Sequence, residues 1–310
     1  MYQYAPCPSF RGRCTTISPH DTPPQPLSYS EALHRLLYAP DAPAPAPIWL
    51  DAFERFGAAL DSSAFDRSAF LDAWRTLYSA TLILDHLQDD DFISDVWFAA
   101  LSRPLQYHLA FGAYVAAEEA LFALISTGGS DVRWLHLQRV WRDSIAQLAA
   151  GQYADLTQRV QSAASNAVLD RYETIARQKT GASFALAFGG MAILGGTAAA
   201  QVTAAINVGL LFGMLLQYSD DLHDAQDQEL QPATLTLQRA LGELIAPEGA
   251  PAPAPTVIWA AIYAETVRSL ETLMEPLPEA AQQVVWELLT SIYGALPVIE
   301  ATGPRRTEAT

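Results

Sequence analysis

The chain has 310 residues, half of them hydrophobic, and carries a net charge of −16. That length suits one large domain or two average ones, and the apolar half is ample for a core. The charge excludes the basic surface that nucleic acid requires, and it excludes electrostatic attachment to anionic membranes.

Residues 1–47 read as a disordered or loosely attached Pro-rich segment. Residues 1–27 are rich in Pro, Ser and Thr, show no period, and contain both cysteines, Cys7 and Cys14. Two cysteines there make no disulfide framework, which fits a reducing cytoplasm, and nothing near Met1 reads as a secretion signal. Ser28–Leu37 can begin a helix, with Ser30 as its cap before Glu31. The run from Pro40 to Pro47 cannot be helical and reads as an extended connector.

From Ile48 onward the apolar spacing predicts helices near 48–60, 64–88, 94–126, 131–160, 166–199, 201–224, 233–245, 256–274 and 278–298. Turn signals such as Thr127-Gly-Gly-Ser130 and the Pro247–Pro255 stretch separate them. There is no strand alternation, no repeat of fixed period and no Gly-rich phosphate loop. The expected class is all-α, with a helical domain over 48–300 and a flexible tail over 301–310. Gly181–Ile206 runs 26 residues without a charge, long enough to cross a bilayer. Its Gly, Ala and Thr content, the polar Gln201 and the lack of basic flanks favour instead a buried helix pair that breaks near Gly195–Ala200.

Two stretches carry the chemistry. In Gly209–Asp227 an apolar run suddenly meets Asp220, Asp221, Asp224 and Asp227. On a helix the spacings of three and four put Asp220, Asp221 and Asp224 on one face. Carboxylates that close repel, which costs stability unless a cation sits among them. The bland alternative is a solvated acidic helix end, so the motif needs a partner. Thr81–Asp95 supplies one: a second apolar helix delivers Asp85 and Asp89 one turn apart, then Asp90, Asp91 and Asp95. Two such helix ends suit Mg²⁺ ions that bridge a diphosphate and make it a leaving group.

With these motifs the chain resembles the trans-isoprenyl diphosphate synthase (polyprenyl synthetase) superfamily, which includes class I terpene synthases. The resemblance extends to Arg177-Gln-Lys179-Thr180-Gly181, similar to the family's Lys-Thr-Gly segment, and to Gly151-Gln152-Tyr-Ala-Asp155, similar to its Gly-Gln-x-x-Asp segment. Gln217 precedes the second acid motif as in the family, and Thr234-Leu-Thr-Leu resembles a Thr-Leu-Pro-Leu stretch. The resemblance implies a single large helical bundle around a central cavity. It implies Mg²⁺ on Asp85 and Asp89 from one wall and on Asp220, Asp221 and Asp224 from the other. Lys179 would then grip the diphosphate, with Thr180, Arg177, Gln217, Gln152 and Asp155 as further substrate contacts. His86 stands where the family has Asp, and imidazole is a poor Mg²⁺ ligand, so it reads as a supporting or packing residue.

Once the C–O bond breaks, the allylic cation needs a dry, aromatic cavity. Tyr78, Trp74, Phe111, Phe184, Phe188, Phe212 and Tyr218 are the candidates. By resemblance Ala80 and Thr81, before the first motif, set the depth of the pocket; both are small, which leaves room for a C15–C20 or longer chain. Chain-elongating members also carry a Gly-Lys-Arg segment and an Arg-Arg pair for isopentenyl diphosphate, and these are missing here. The leading expectation is therefore a terpene synthase (lyase) that ionises one prenyl diphosphate and captures the cation internally. The alternatives are a chain-elongating synthase that recruits Arg75, Arg103 or Arg305-Arg306, prenyl transfer to a peptide or aromatic acceptor, and a non-catalytic subunit of a heteromeric synthase. The resemblance also implies a homodimer, with no transmembrane span. Peripheral membrane contact stays open because prenyl substrates partition into lipid.

Overall fold

A computed structural model describes residues 27–39, 42, 44–89, 96–127, 132–157, 165–224 and 255–293. Among them there is no strand, as the all-α expectation requires. The helices are α1 (Tyr29–Tyr38), α2 (Pro47–Ala59), α3 (Ala64–Asp89), α4 (Val96–Ala99), α5 (Arg103–Thr127), α6 (Val132–Thr157), α7 (Ser165–Ala176), α8 (Ala182–Leu194), α9 (Ala199–Asp224), α10 (Pro255–Met274) and α11 (Glu279–Tyr293). A π turn, Arg177–Gly181, joins α7 to α8. The helix expected over 233–245, the Thr234 stretch and the arginines Arg305 and Arg306 lie outside the described residues.

The chain divides into two compact units, Met1–Leu50 with Ala69–Thr127, and Asp51–Ser68 with Gly128–Thr310. In the first unit α1 starts at Ser28 rather than Ser30. Ser28 Oγ accepts from Glu31 N at 3.3 Å while its own N–H donates to Glu31 Oε2 at 2.9 Å. This reciprocal box needs the glutamate three residues after the cap, a place Ser28 satisfies and Ser30 does not. The buried side of α1 (Ala32, Leu36, Leu37) packs on α3 and α5. Leu36 joins Ile83, Leu87, Phe98 and Leu109, and Leu37 joins Ala80 and Ala113.

The single helix expected over 94–126 is two, broken at Ala100–Ser102. Pro104 has no N–H to give and would collide with the carbonyl of Ala100 in a continuous helix, so a new one begins at Arg103. Arg103 Nη2 donates to Leu87 O at 2.8 Å and Tyr107 OH to the same carbonyl at 3.2 Å, capping the last turn of α3 with a cation.

The second unit is built on α8, all thirteen residues of which are buried. Its charge-free sequence is thus interior, and the helix pair breaks where small residues allow it. Gly196 takes φ +64°, and a Cβ on Gly195 would lie 2.2 Å from the Leu60 carbonyl oxygen. Phe53 and Phe56 of α2 meet Phe184 and Phe188 of α8, and Phe212 of α9 closes the cluster, all five at 0 % exposure. At about 1.5–3 kcal/mol for each fully buried phenyl group, this cluster is a main apolar anchor of the unit.

Candidate active site

The site in the second unit is assembled by a ridge of α9 at every fourth residue: Gly209, Gly213, Gln217 and Asp221. A Cβ on Gly209 would lie 2.3 Å from Phe184 O, and one on Gly213 would lie 2.6 Å from Thr180 O. The α9 backbone therefore runs directly against α8 and the π turn. Further along the ridge, glycine contact gives way to hydrogen bonds. Thr180 Oγ1 donates to Gln217 Oε1 at 2.6 Å, and Gln217 Nε2 donates to Asp221 Oδ1 at 3.0 Å. Tyr172, the last contact, donates its hydroxyl to Asp221 Oδ2 at 2.5 Å. Both oxygens of Asp221 thus accept a side-chain hydrogen bond from elsewhere in the site.

Lys179 is brought in by the opposite wall of the π turn. A Cβ on Gly151 of α6 would come within 2.6 Å of the Lys179 backbone nitrogen, so α6 touches the turn there. One turn later on α6, Asp155 Oδ2 receives Lys179 Nζ at 2.8 Å, with side-chain exposures of 24 % and 18 %. Lys179 is the only lysine in the chain; the other 17 basic residues are arginines. A compact ammonium thus stands at this one place, in a chain that otherwise uses guanidinium. The π turn itself was not legible in the sequence, although such turns gather at functional sites.

Burial, and then the charge of Asp221, hold the Tyr172 hydroxyl well above its ordinary range, so it is a hydrogen-bond donor at neutral pH. Tyr218 stacks on Tyr172 with ring centroids 5.6 Å apart and is pushed up as well, mainly by burial. Asp220 is exposed and Asp221 half-buried; Asp224 is the last residue of α9. Arg177 opens the π turn from an exposed position, and Gln152 is half-buried on α6.

In the first unit Asp85 is half-buried on α3, and Asp89 is the helix's last residue. Asp90, Asp91 and Asp95 lie outside the described residues. Tyr78 stacks on Trp74 at 5.2 Å and meets the edge of Trp49 at 5.8 Å. Thr81 spends its hydroxyl on Tyr78 O at 2.8 Å. Ala80 is fully buried among Leu37, Ala113, Leu33 and Tyr114, packed within its own unit. Phe111, expected to face a cavity, is 62 % exposed on α5. Helical spacing told which residues share its face but not that the face is turned to solvent. Phe184 and Phe212 are fully buried with centroids 5.2 Å apart.

Among the described residues no three His, Cys, Asp or Glu side chains converge on one point. The donor chemistry still fits Mg²⁺: Asp221 offers hard oxygens held by Tyr172 and Gln217, next in the chain to the exposed carboxylate residue Asp220.

The polyprenyl synthetase family model matches residues 50–232, well over half of the chain. The chain belongs to the polyprenyl synthetase family. No curated protein sequence matches it. Solved structures share the fold at low identity. A farnesyl diphosphate synthase of T. brucei complexed with homorisedronate has 13 % identity and a TM-score of 0.69, over 85 % of this chain and 90 % of that one. A geranylgeranyl pyrophosphate synthetase of the archaeon Geoglobus acetivorans has 17 % identity and a TM-score of 0.70, over 86 % and 92 %. A geranyltranstransferase of Thermotoga maritima has 18 % and 0.64, over 88 % and 92 %. The neighbours share the isoprenoid-synthase helical fold, and membership of the family makes the chain an enzyme of isoprenoid biosynthesis, a prenyltransferase.

Proposed function

We propose that the chain is a Mg²⁺-dependent prenyltransferase that ionises an allylic prenyl diphosphate and joins the prenyl group to isopentenyl diphosphate. The observation that supports it most is the meeting of the Lys-Thr-Gly turn with the second acid motif, through Thr180, Gln217 and Asp221. Family membership and the named neighbours favour elongation over the internal cation capture that the missing basic segments suggest.

Bound Mg²⁺ would neutralise the diphosphate and stabilise it as it leaves. Asp221 and Asp220 would hold the metal, with Asp224 beside them, and Asp85 and Asp89 are kept as ligands on the sequence alone. Lys179 exchanges Asp155 for a diphosphate oxygen, adding a point charge where negative charge develops. Thr180 and Gln217 fix the π turn against α9 so that these groups keep their places. Tyr172 and Tyr218, buried and stacked on each other, pack beside Asp221. Substrate length, a cytoplasmic setting and dimerisation belong to the same proposal.

Internal capture by a cyclase remains the second reading, and one observation favours it. The arginines described in the first unit are engaged elsewhere: Arg35 over the Trp97 ring, Arg75 over the Tyr38 ring, and Arg103 on the Leu87 carbonyl. A second diphosphate would have to draw them away. Incubating the protein and Mg²⁺ with geranyl, farnesyl and geranylgeranyl diphosphates, with and without isopentenyl diphosphate, separates the two. A longer diphosphate made only with isopentenyl diphosphate supports the transferase; a hydrocarbon or alcohol made without it overturns it in favour of the cyclase.

A further inference from the structure

Tyr172 is the one member of the assembled network that no motif contains. It is 2 % exposed, lies 49 positions before Asp221 in the chain, and sits one turn and a half before the π turn. Its ring stacks on Tyr218. Its hydroxyl donates to Oδ2 of Asp221, while Gln217 holds Oδ1. A carboxylate on a helix rotates freely about its terminal bond unless both oxygens are tied, and a freely rotating ligand must be ordered at the moment the ion arrives.

We propose that Tyr172 is a positioning residue for metal binding: its hydroxyl fixes the plane of the Asp221 carboxylate, and so the direction in which that carboxylate meets the ion. This rests on the reading of Asp221 as a metal ligand. Carboxylates that hold metals are commonly oriented in this way, and losing such a partner costs about 10–100-fold in metal affinity or activity. The geometry separates Tyr172 from a purely structural tyrosine. A buried hydroxyl needs only some acceptor, whereas this one donates across to another helix, to the carboxylate of α9 that Gln217 also holds. The pair of donors acts from two helices, α7 and α9, so the plane of the carboxylate is set by how those helices pack.

The test is Mn²⁺ binding in the presence of inorganic diphosphate, followed by electron paramagnetic resonance, on the wild type, Tyr172→Phe, Asp221→Ala and a variant with p-aminophenylalanine at position 172. The last keeps a donor at the same point of the ring. Expected are roughly 10–100-fold weaker binding in Tyr172→Phe and recovery in the amino variant. The Mg²⁺ concentration for half-maximal turnover should rise in parallel, with KM for the prenyl diphosphate at saturating Mg²⁺ little changed. Wild-type binding by Tyr172→Phe together with weakened binding by Asp221→Ala would overturn the positioning role and leave the metal site standing. Wild-type binding by Asp221→Ala would overturn the metal site and the positioning role with it. Should Tyr172→Phe unfold, the amino variant decides alone: weak binding in a folded amino variant would overturn the proposal.

Discussion

Among the described residues two helices are long and apolar enough, by length and composition, to cross a membrane: Arg103–Ser126 in α5 and Ala199–Asp221 in α9. Their hydropathies are close, 1.5 and 1.8, yet they are used in opposite ways. On α9 the apolar run carries glycines four apart, which let it lie backbone to backbone on α8 and the π turn. On α5 the run carries large side chains, and Phe111 and Phe122 stand 62 % and 67 % exposed. Average hydropathy thus says little about which helix is interior. The spacing of the smallest residues says more, because only they let two backbones approach and fix the polar groups at the end of the ridge.

If the α9 ridge serves the chemistry, the largest effect belongs to its far end. Asp221→Ala should lower turnover about a thousandfold or more, equal to about 4 kcal/mol of lost transition-state stabilisation, with the helical circular dichroism unchanged. Asp85→Ala should do the same; Mg²⁺-dependent turnover retained in either would remove that residue from the metal site. Next comes the lone ammonium. Lys179→Gln should cost roughly a hundredfold in kcat/KM, and because Lys179 is the only lysine, reductive methylation labels one side chain. Mg²⁺ with inorganic diphosphate should slow that labelling, and equal rates with and without diphosphate would argue against the contact.

Moving back along the ridge, the effect turns from chemistry to stability. Gly213→Ala places a methyl group against the Thr180 and Gly181 backbone and should cost about 2 kcal/mol or more, a fall in Tm of roughly 5 °C. An unchanged Tm would mean that α9 can move off the turn. On α5 the corresponding change should be nearly silent: Phe111→Ser and Phe122→Ser should each stay within about 0.5 kcal/mol in the isolated chain. A much larger loss there would show that this face is covered in solution.

The sequence was most legible where residue type and spacing repeat a local rule. The helices over 48–60, 64–88 and 256–274 differ from α2, α3 and α10 by about a residue at the ends, because the apolar period, Pro and Gly fix them locally. The acid motif stood out by its spacing, whereas Lys179-Thr180-Gly181 stood out only by its resemblance to the family's segment, since no local rule marks a lone lysine. Tyr172 was not: a single tyrosine in an ordinary amphipathic helix carries no signal, and its partner is 49 residues away. The π turn has no local signature either, since it arises from the fit of α6 and α9 on either side of it. Phe111 shows the converse limit, that a periodic apolar face does not tell which of two directions it points. Pro104, by contrast, carried its message plainly, and the break at Ala100–Ser102 was there to be read.

The most direct test of the central claim is Mg²⁺-dependent release of inorganic diphosphate from farnesyl diphosphate, with isopentenyl diphosphate present, by the wild type and by Lys179→Gln. The account predicts release by the wild type that chelation with EDTA abolishes and that the Lys179 variant largely loses. No release by the wild type from farnesyl, geranyl or geranylgeranyl diphosphate, or release that Lys179→Gln leaves intact, would contradict it.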